Sequence, residues 1–73
     1  MTVFTLPSRP ITVHHAKLSK YGETHLTLDL IIETGNVARH EIFVGKGICD
    51  LILELTSKLG FDGRDATRIV NLA

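Results

Sequence analysis

Between His25 and Glu33 every second residue is large and aliphatic: Leu26, Leu28, Leu30 and Ile32 alternate with His25, Thr27, Asp29, Ile31 and Glu33. A period of two predicts a β-strand whose even-numbered side chains are buried and whose odd-numbered ones are not. Thr34-Gly35-Asn36 then reverses the chain, and a second alternating segment runs from Val37 to Val44. A three-residue loop places Ala38, His40, Ile42 and Val44 on the leucine face, whereas a two-residue Thr34-Gly35 loop brings Arg39 and Glu41 there instead. Burying two charges is costly, so the three-residue loop is the expectation.

After Val44 the spacing lengthens. Ile48, Leu51, Ile52, Leu55 and Leu59 recur at three- and four-residue steps opposite Asp50, Glu54 and Lys58, which predicts an amphipathic helix laid on the sheet. Gly60 is a natural stop, and Asp62 with Asp65 suits the cap and first turn of a short helix over 64–72 with Ala66, Ile69, Val70 and Leu72 on its apolar side.

Upstream, Ile11 to Leu18 favours β structure and leads through Tyr21-Gly22 into a hairpin. Its register has two readings. A Lys20-Tyr21-Gly22 turn with a glycine bulge puts Thr12, His14 and Ala16 on the leucine face, while a tight Tyr21-Gly22 turn puts Ile11 and Val13 there and leaves His14 near Asp29 on the other side. Val3-Phe4-Thr5-Leu6 reads as a short edge strand or an extended arm, set off by Pro7 and Pro10. The expected fold is α+β. A three- or four-stranded antiparallel meander is followed by one amphipathic helix and a short C-terminal helix, all in one domain over 1–73, with 1–10 as an arm or edge strand.

Length narrows the picture further, because a 73-residue domain buries only roughly 60% of the surface of its unfolded chain and gains from any added burial. The single cysteine, Cys49, excludes an intramolecular disulfide, which leaves a metal or self-association as the usual aids. Eight basic residues balance eight acidic ones with no block of either sign, so neither nucleic acid nor an anionic membrane is the expected partner. The start MTVFTLPSRP does not read as a signal peptide and no apolar run approaches the ~20 residues of a spanning helix; a cytoplasmic location is expected.

The chemistry-bearing residues do not converge. His14 and His15 are adjacent, so on a regular strand they face opposite ways; His25 and His40 fall on different faces in the registers above; and no C-x-x-C or His-Glu-x-x-His spacing occurs. No metal and no cofactor are expected. Cys49, early in an apolar helix, reads as a small hydrophobe, with His40 the one histidine that could activate it. Asp29 and Glu41 read as exposed carboxylates on the odd face. Gly45-Lys46-Gly47 before a helix suggests an anion site, but the longer phosphate-loop pattern is missing and tight-turn geometry accounts for the glycines. No enzyme is expected.

What remains is surface. On the expected register the odd face carries Ile31, Val37 and Phe43, flanked by Arg39, Glu41 and His25, a pattern suited to contact with a protein partner or a second copy. The sequence therefore predicts a small non-catalytic binding module of adaptor or inhibitor type, a homodimer among its forms, with Ile31, Val37, Arg39 and Phe43 at the contact. The competing explanation is that the N-terminal arm or the second helix folds over that patch. A nucleic-acid-binding domain is the alternative function, using the sheet face or Arg64, Thr67, Arg68 and Asn71 on the last helix, with Asp62 and Asp65 beside the arginines as the argument against it.

Overall fold

A computed structural model describes residues 4–6 and 10–73, and of Phe4 and Leu6 the backbone only. Strands β1 (Phe4–Leu6), β2 (Ile11–Tyr21), β3 (His25–Thr34) and β4 (Val37–Gly45) precede helices α1 (Ile48–Leu59) and α2 (Gly63–Leu72). The strands form one antiparallel sheet in chain order. The α+β meander expected from the periodicities is the fold, with Phe4–Leu6 as an edge strand. Val3 and 7–9, read together with that segment, lie outside the described residues.

Strand β2 resolves the two competing registers by using half of each. Near the turn, Leu18 pairs with Leu28 and Ala16 with Leu30, but the register shifts between Val13 and His15, so that Val13 pairs with Ile32 and Ile11 with Thr34. One extra residue, His14, is absorbed as a β-bulge. Even-numbered side chains therefore face the core on one side of the bulge and odd-numbered ones on the other. Val13 is fully buried, and Ile11, Ala16 and Leu18 pack against the core it belongs to.

The β3–β4 turn corrects the expected face of β4. Thr34 pairs directly with Val37, leaving Gly35-Asn36 as a two-residue loop. Gly35 has φ 63° and, among the described residues, none other than glycine has positive φ, which is the type II′ pattern with glycine first. Phe43 consequently pairs with Leu28, Glu41 with Leu30 and Arg39 with Ile32, all on the leucine side of the sheet. The shorter loop buries no charge, because that side is not covered all the way across. Phe43 is 7% exposed, whereas Arg39 and Glu41 stand at an uncovered corner and pair with each other at 3.0 Å, the Arg39 side chain 54% exposed.

Both helices lie on the leucine side, α1 against β3 and β4, α2 against β2. The core joins Val13, Leu28, Leu30, Ile32 and Phe43 to Leu51 and Leu55 of α1, Phe61 of the connection, and Ala66, Ile69 and Val70 of α2. Helix ends follow the sequence signals. Gly60 ends α1 in the left-handed conformation at φ 78°, and the Asp62 carboxylate caps α2 by accepting from the Asp65 N–H at 2.8 Å.

The close approach of α1 to the sheet rests on Gly45. A Cβ there would sit 2.6 Å from the Asp50 Cβ and 3.4 Å from the Leu51 nitrogen, and neither is the loose end of a flexible side chain. Gly45→Ala is therefore expected to push α1 outward and cost about 1–3 kcal/mol. A urea unfolding curve checks this, and an unchanged midpoint would show that α1 seats less tightly than described.

Candidate functional site

The sheet face away from the helices carries no secondary-structure element among the described residues. Pairing places its side chains in rows across β2, β3 and β4: Tyr21 and His25 at one end, then Ser19, Thr27 and Val44, then Lys17, Asp29 and Ile42, then His15, Ile31 and His40, and last Thr12, Glu33 and Ala38. Ile31 (41% exposed), Ile42 (56%) and Val44 (45%) form a diagonal apolar stripe over β3 and β4. In a two-residue hairpin the Thr34–Val37 pair that closes the turn is a hydrogen-bonded one. The row partners on this face are then the closer, non-hydrogen-bonded pairs, which brings Ile31 against His40 and Ile42 against Asp29.

Two imidazole–carboxylate pairs share this face: His40–Asp29 crosses the stripe between Ile31 and Ile42, and His14–Glu33 stands beside it. His14 Nε2 lies 2.6 Å from Glu33 Oε1, and His40 Nε2 bonds to Asp29 Oδ1. The bulge is what allows the first of these, since it gives His14 the same face as His15. All four histidines, His14, His15, His25 and His40, thus gather on the open face, where a regular strand would have split the adjacent pair. Yet among the described residues no group of three or more His, Cys, Asp or Glu stands where a metal ion could be held. Each pair is an ordinary exposed one, with His14 and Glu33 side chains 42% and 37% exposed.

Of the contact residues expected from the sequence, this face brings in Ile31 alone. Phe43 belongs to the core, which removes it from the open face. Val37 is exposed but, like Arg39, lies on the helix side at the uncovered corner. Ile42, Val44 and His40 take their place. The signal that identifies them in the sequence is the Gly35-Asn36 dipeptide, because a two-residue turn there fixes the parity of the whole strand.

The chemical candidates separate. Cys49 is exposed on α1 and His40 is on the opposite face of the sheet, so the two do not meet. Glu41 and Asp29 also lie on opposite faces. At the Gly45-Lys46-Gly47 loop, the Lys46 N–H donates to the Asp50 carboxylate at 2.8 Å, so the chain's own anion occupies it. A hollow of about 280 Å³ between Val44, Lys46, Leu53 and His25 is open and shallow. Arg64, Thr67, Arg68 and Asn71 share one exposed stripe of α2 at i, i+3, i+4 and i+7. The arrangement offers an apolar strip interleaved with polar groups and, among the described residues, no enclosed volume beside it, which is the chemistry of surface contact.

No family model matches the chain, nor does any curated protein or solved structure. Among the described residues no helix is long and apolar enough to cross a membrane.

Proposed function

We propose that the chain is a small non-catalytic protein-binding module that presents the helix-free face of its sheet to a protein partner. The observation behind this reading is the Ile31–Ile42–Val44 stripe, three exposed aliphatic side chains at neighbouring positions of a face whose other positions are mostly polar. An antiparallel sheet with one solvated face ordinarily alternates apolar-in and polar-out, so aliphatic residues on both faces call for a second contact. The His14–Glu33 pair borders the stripe and the His40–Asp29 pair crosses it, and together they supply the polar groups such a contact has.

Ile31→Asp is the discriminating variant, because Ile31 stands on a central strand and is only partly covered. Folding should survive, with a loss of about 1 kcal/mol at most for a β-strand surface position. Partner capture from cells that produce the protein, followed by titration with the recovered partner, should show binding weakened by about 30-fold or more, the effect of losing a central contact. Equal binding by both proteins would refute the reading. The rival use of Arg64 and Arg68 on nucleic acid would show itself instead as salt-dependent binding to mixed-sequence DNA or RNA that Arg64→Ala/Arg68→Ala abolishes.

A further inference from the structure

The two edges of the sheet are unequal. Strand β1 is three residues long and followed in sequence by Pro7 and Pro10, whereas β4 is nine residues long with neither proline nor lysine and, among the described residues, pairs with β3 alone. Short strands, prolines and lysines are the usual means of closing an edge to other chains. Strand β4 has none of these.

Its free groups follow from the turn. Because Thr34–Val37 is a hydrogen-bonded pair, Val37, Arg39, Glu41, Phe43 and Gly45 turn their backbone groups to β3, and Ala38, His40, Ile42 and Val44 turn theirs to the edge. The residues with outward N–H and C=O groups are the same ones whose side chains lie on the open face. A second antiparallel strand can add there only in registers that pair even-numbered residues with even-numbered ones.

Charge selects among those registers. On the helix side of β4, Arg39 and Glu41 stand two residues apart at the uncovered corner. If His40 pairs with the second copy's His40 across a two-fold axis, Arg39 lies opposite the second copy's Glu41, and Glu41 opposite the second copy's Arg39, each as a close non-hydrogen-bonded pair. Ala38 then exchanges hydrogen bonds with the second copy's Ile42, and Val37, 69% exposed, comes beside the second copy's Phe43. Centring the axis on Glu41 instead sets Glu41 against Glu41, and centring it on Ile42 sets Glu41 against Phe43. Both alternatives are unfavourable, since like charges directly opposite destabilise a strand pair and an apolar ring gives a carboxylate no partner. Charges on an edge ordinarily repel an incoming strand; here their alternation matches a copy of itself.

We infer that two chains join through antiparallel β4–β4 pairing centred on His40, extending the two four-stranded sheets into one continuous sheet. Each His40 imidazole stays bonded to its own Asp29, and the interface is isologous, as a two-fold axis requires. This inference rests on the strand edge and not on the open face, so either reading can fail without the other.

The test uses sedimentation equilibrium on the full chain and three variants. Wild type should show a concentration-dependent monomer–dimer equilibrium. Arg39→Glu and Glu41→Arg, each alone, should dimerise at least about tenfold more weakly, since each puts like charges opposite one another twice. An equimolar mixture of the two should recover association as a heterodimer. The Arg39→Glu chain carries carboxylates at both positions and the Glu41→Arg chain carries guanidinium groups at both, so every facing pair in the mixed dimer is of opposite charge. A contact confined to one chain cannot produce that recovery. Ile42→Pro, which removes an edge-facing N–H and no β3 bond, should be monomeric. A wild-type monomer at millimolar concentration, or single variants that dimerise like wild type, or a mixture that stays monomeric, would each overturn the inference.

Discussion

Phe43→Asp unfolds the protein. The ring is 7% exposed, pairs with Leu28 and belongs to the cluster that includes Leu51 and Leu55. Truncating a buried phenylalanine costs about 3–5 kcal/mol, and a buried carboxylate without a partner costs more. That exceeds what a domain of this size holds in reserve. Circular dichroism at 25 °C should show loss of structure for Phe43→Asp, while Ile42→Asp, one residue away on the open face, keeps a cooperative transition. A folded Phe43→Asp protein would mean that β4 presents its other face to the helices. The same experiment separates core from contact surface, since a residue of the open face would lose a partner and keep its fold.

Deletions in β2 should divide sharply. Lys17 is exposed on the open face, so its removal looks harmless from its surroundings. It is not, because the strand between Lys17 and the bulge then slides by one. His15 is forced to the core side opposite Leu30, and Ala16 is turned out. An imidazole buried there without a partner costs at least about 2 kcal/mol, before the lost packing is counted. Removal of His14 has the opposite logic. It deletes the extra residue of the bulge, and Val13 still meets Ile32 while His15 still meets Ile31. Only an exposed His14–Glu33 pair is lost, worth roughly 0–1 kcal/mol. Thermal unfolding of the two deletions should therefore differ by more than the shared loss of one residue explains; equal destabilisation would mean that the strand is not bulged at His14.

These contrasts show where local sequence decides structure and where it does not. Strand β3, helix α1, the Gly60 stop and the Asp62 cap were legible because each is written in consecutive residues: four aliphatics at period two, five at helical spacing, a glycine for positive φ, a carboxylate three residues before the N–H it accepts. Strand β4 was not legible from its pattern, because both of its faces mix apolar and polar residues. Avoidance of buried charge picked the wrong one, as it assumes that a helix layer covers the whole sheet. The layer stops short of Arg39, and the ion pair with Glu41 costs little where it stands. Turn chemistry held the answer, since Gly35-Asn36 is a type II′ pair whose parity places Phe43 inside. The bulge at His14 had no local sequence signal; it arises because the two halves of β2 each bury aliphatics of opposite parity against one face. For the same reason the histidines of the open face could not be grouped from spacing alone.

The contact surface was half legible. Uncovered aliphatic side chains on the far side of the sheet were expected and Ile31 is among them, but its neighbours are Ile42 and Val44. Both substitutions follow from the one change in turn length, which also sets which β4 backbone groups face the edge.

The placement of β4 is tested most directly by amide hydrogen exchange followed residue by residue in dilute and in concentrated solution. In dilute solution Arg39, Glu41 and Phe43 should exchange slowly and Ala38, His40, Ile42 and Val44 rapidly; on concentration Ala38, His40 and Ile42 should become protected while Val44 remains fast. Slow exchange at Ala38, His40 and Ile42 in dilute solution, with Arg39, Glu41 and Phe43 fast, would reverse the strand and contradict the account.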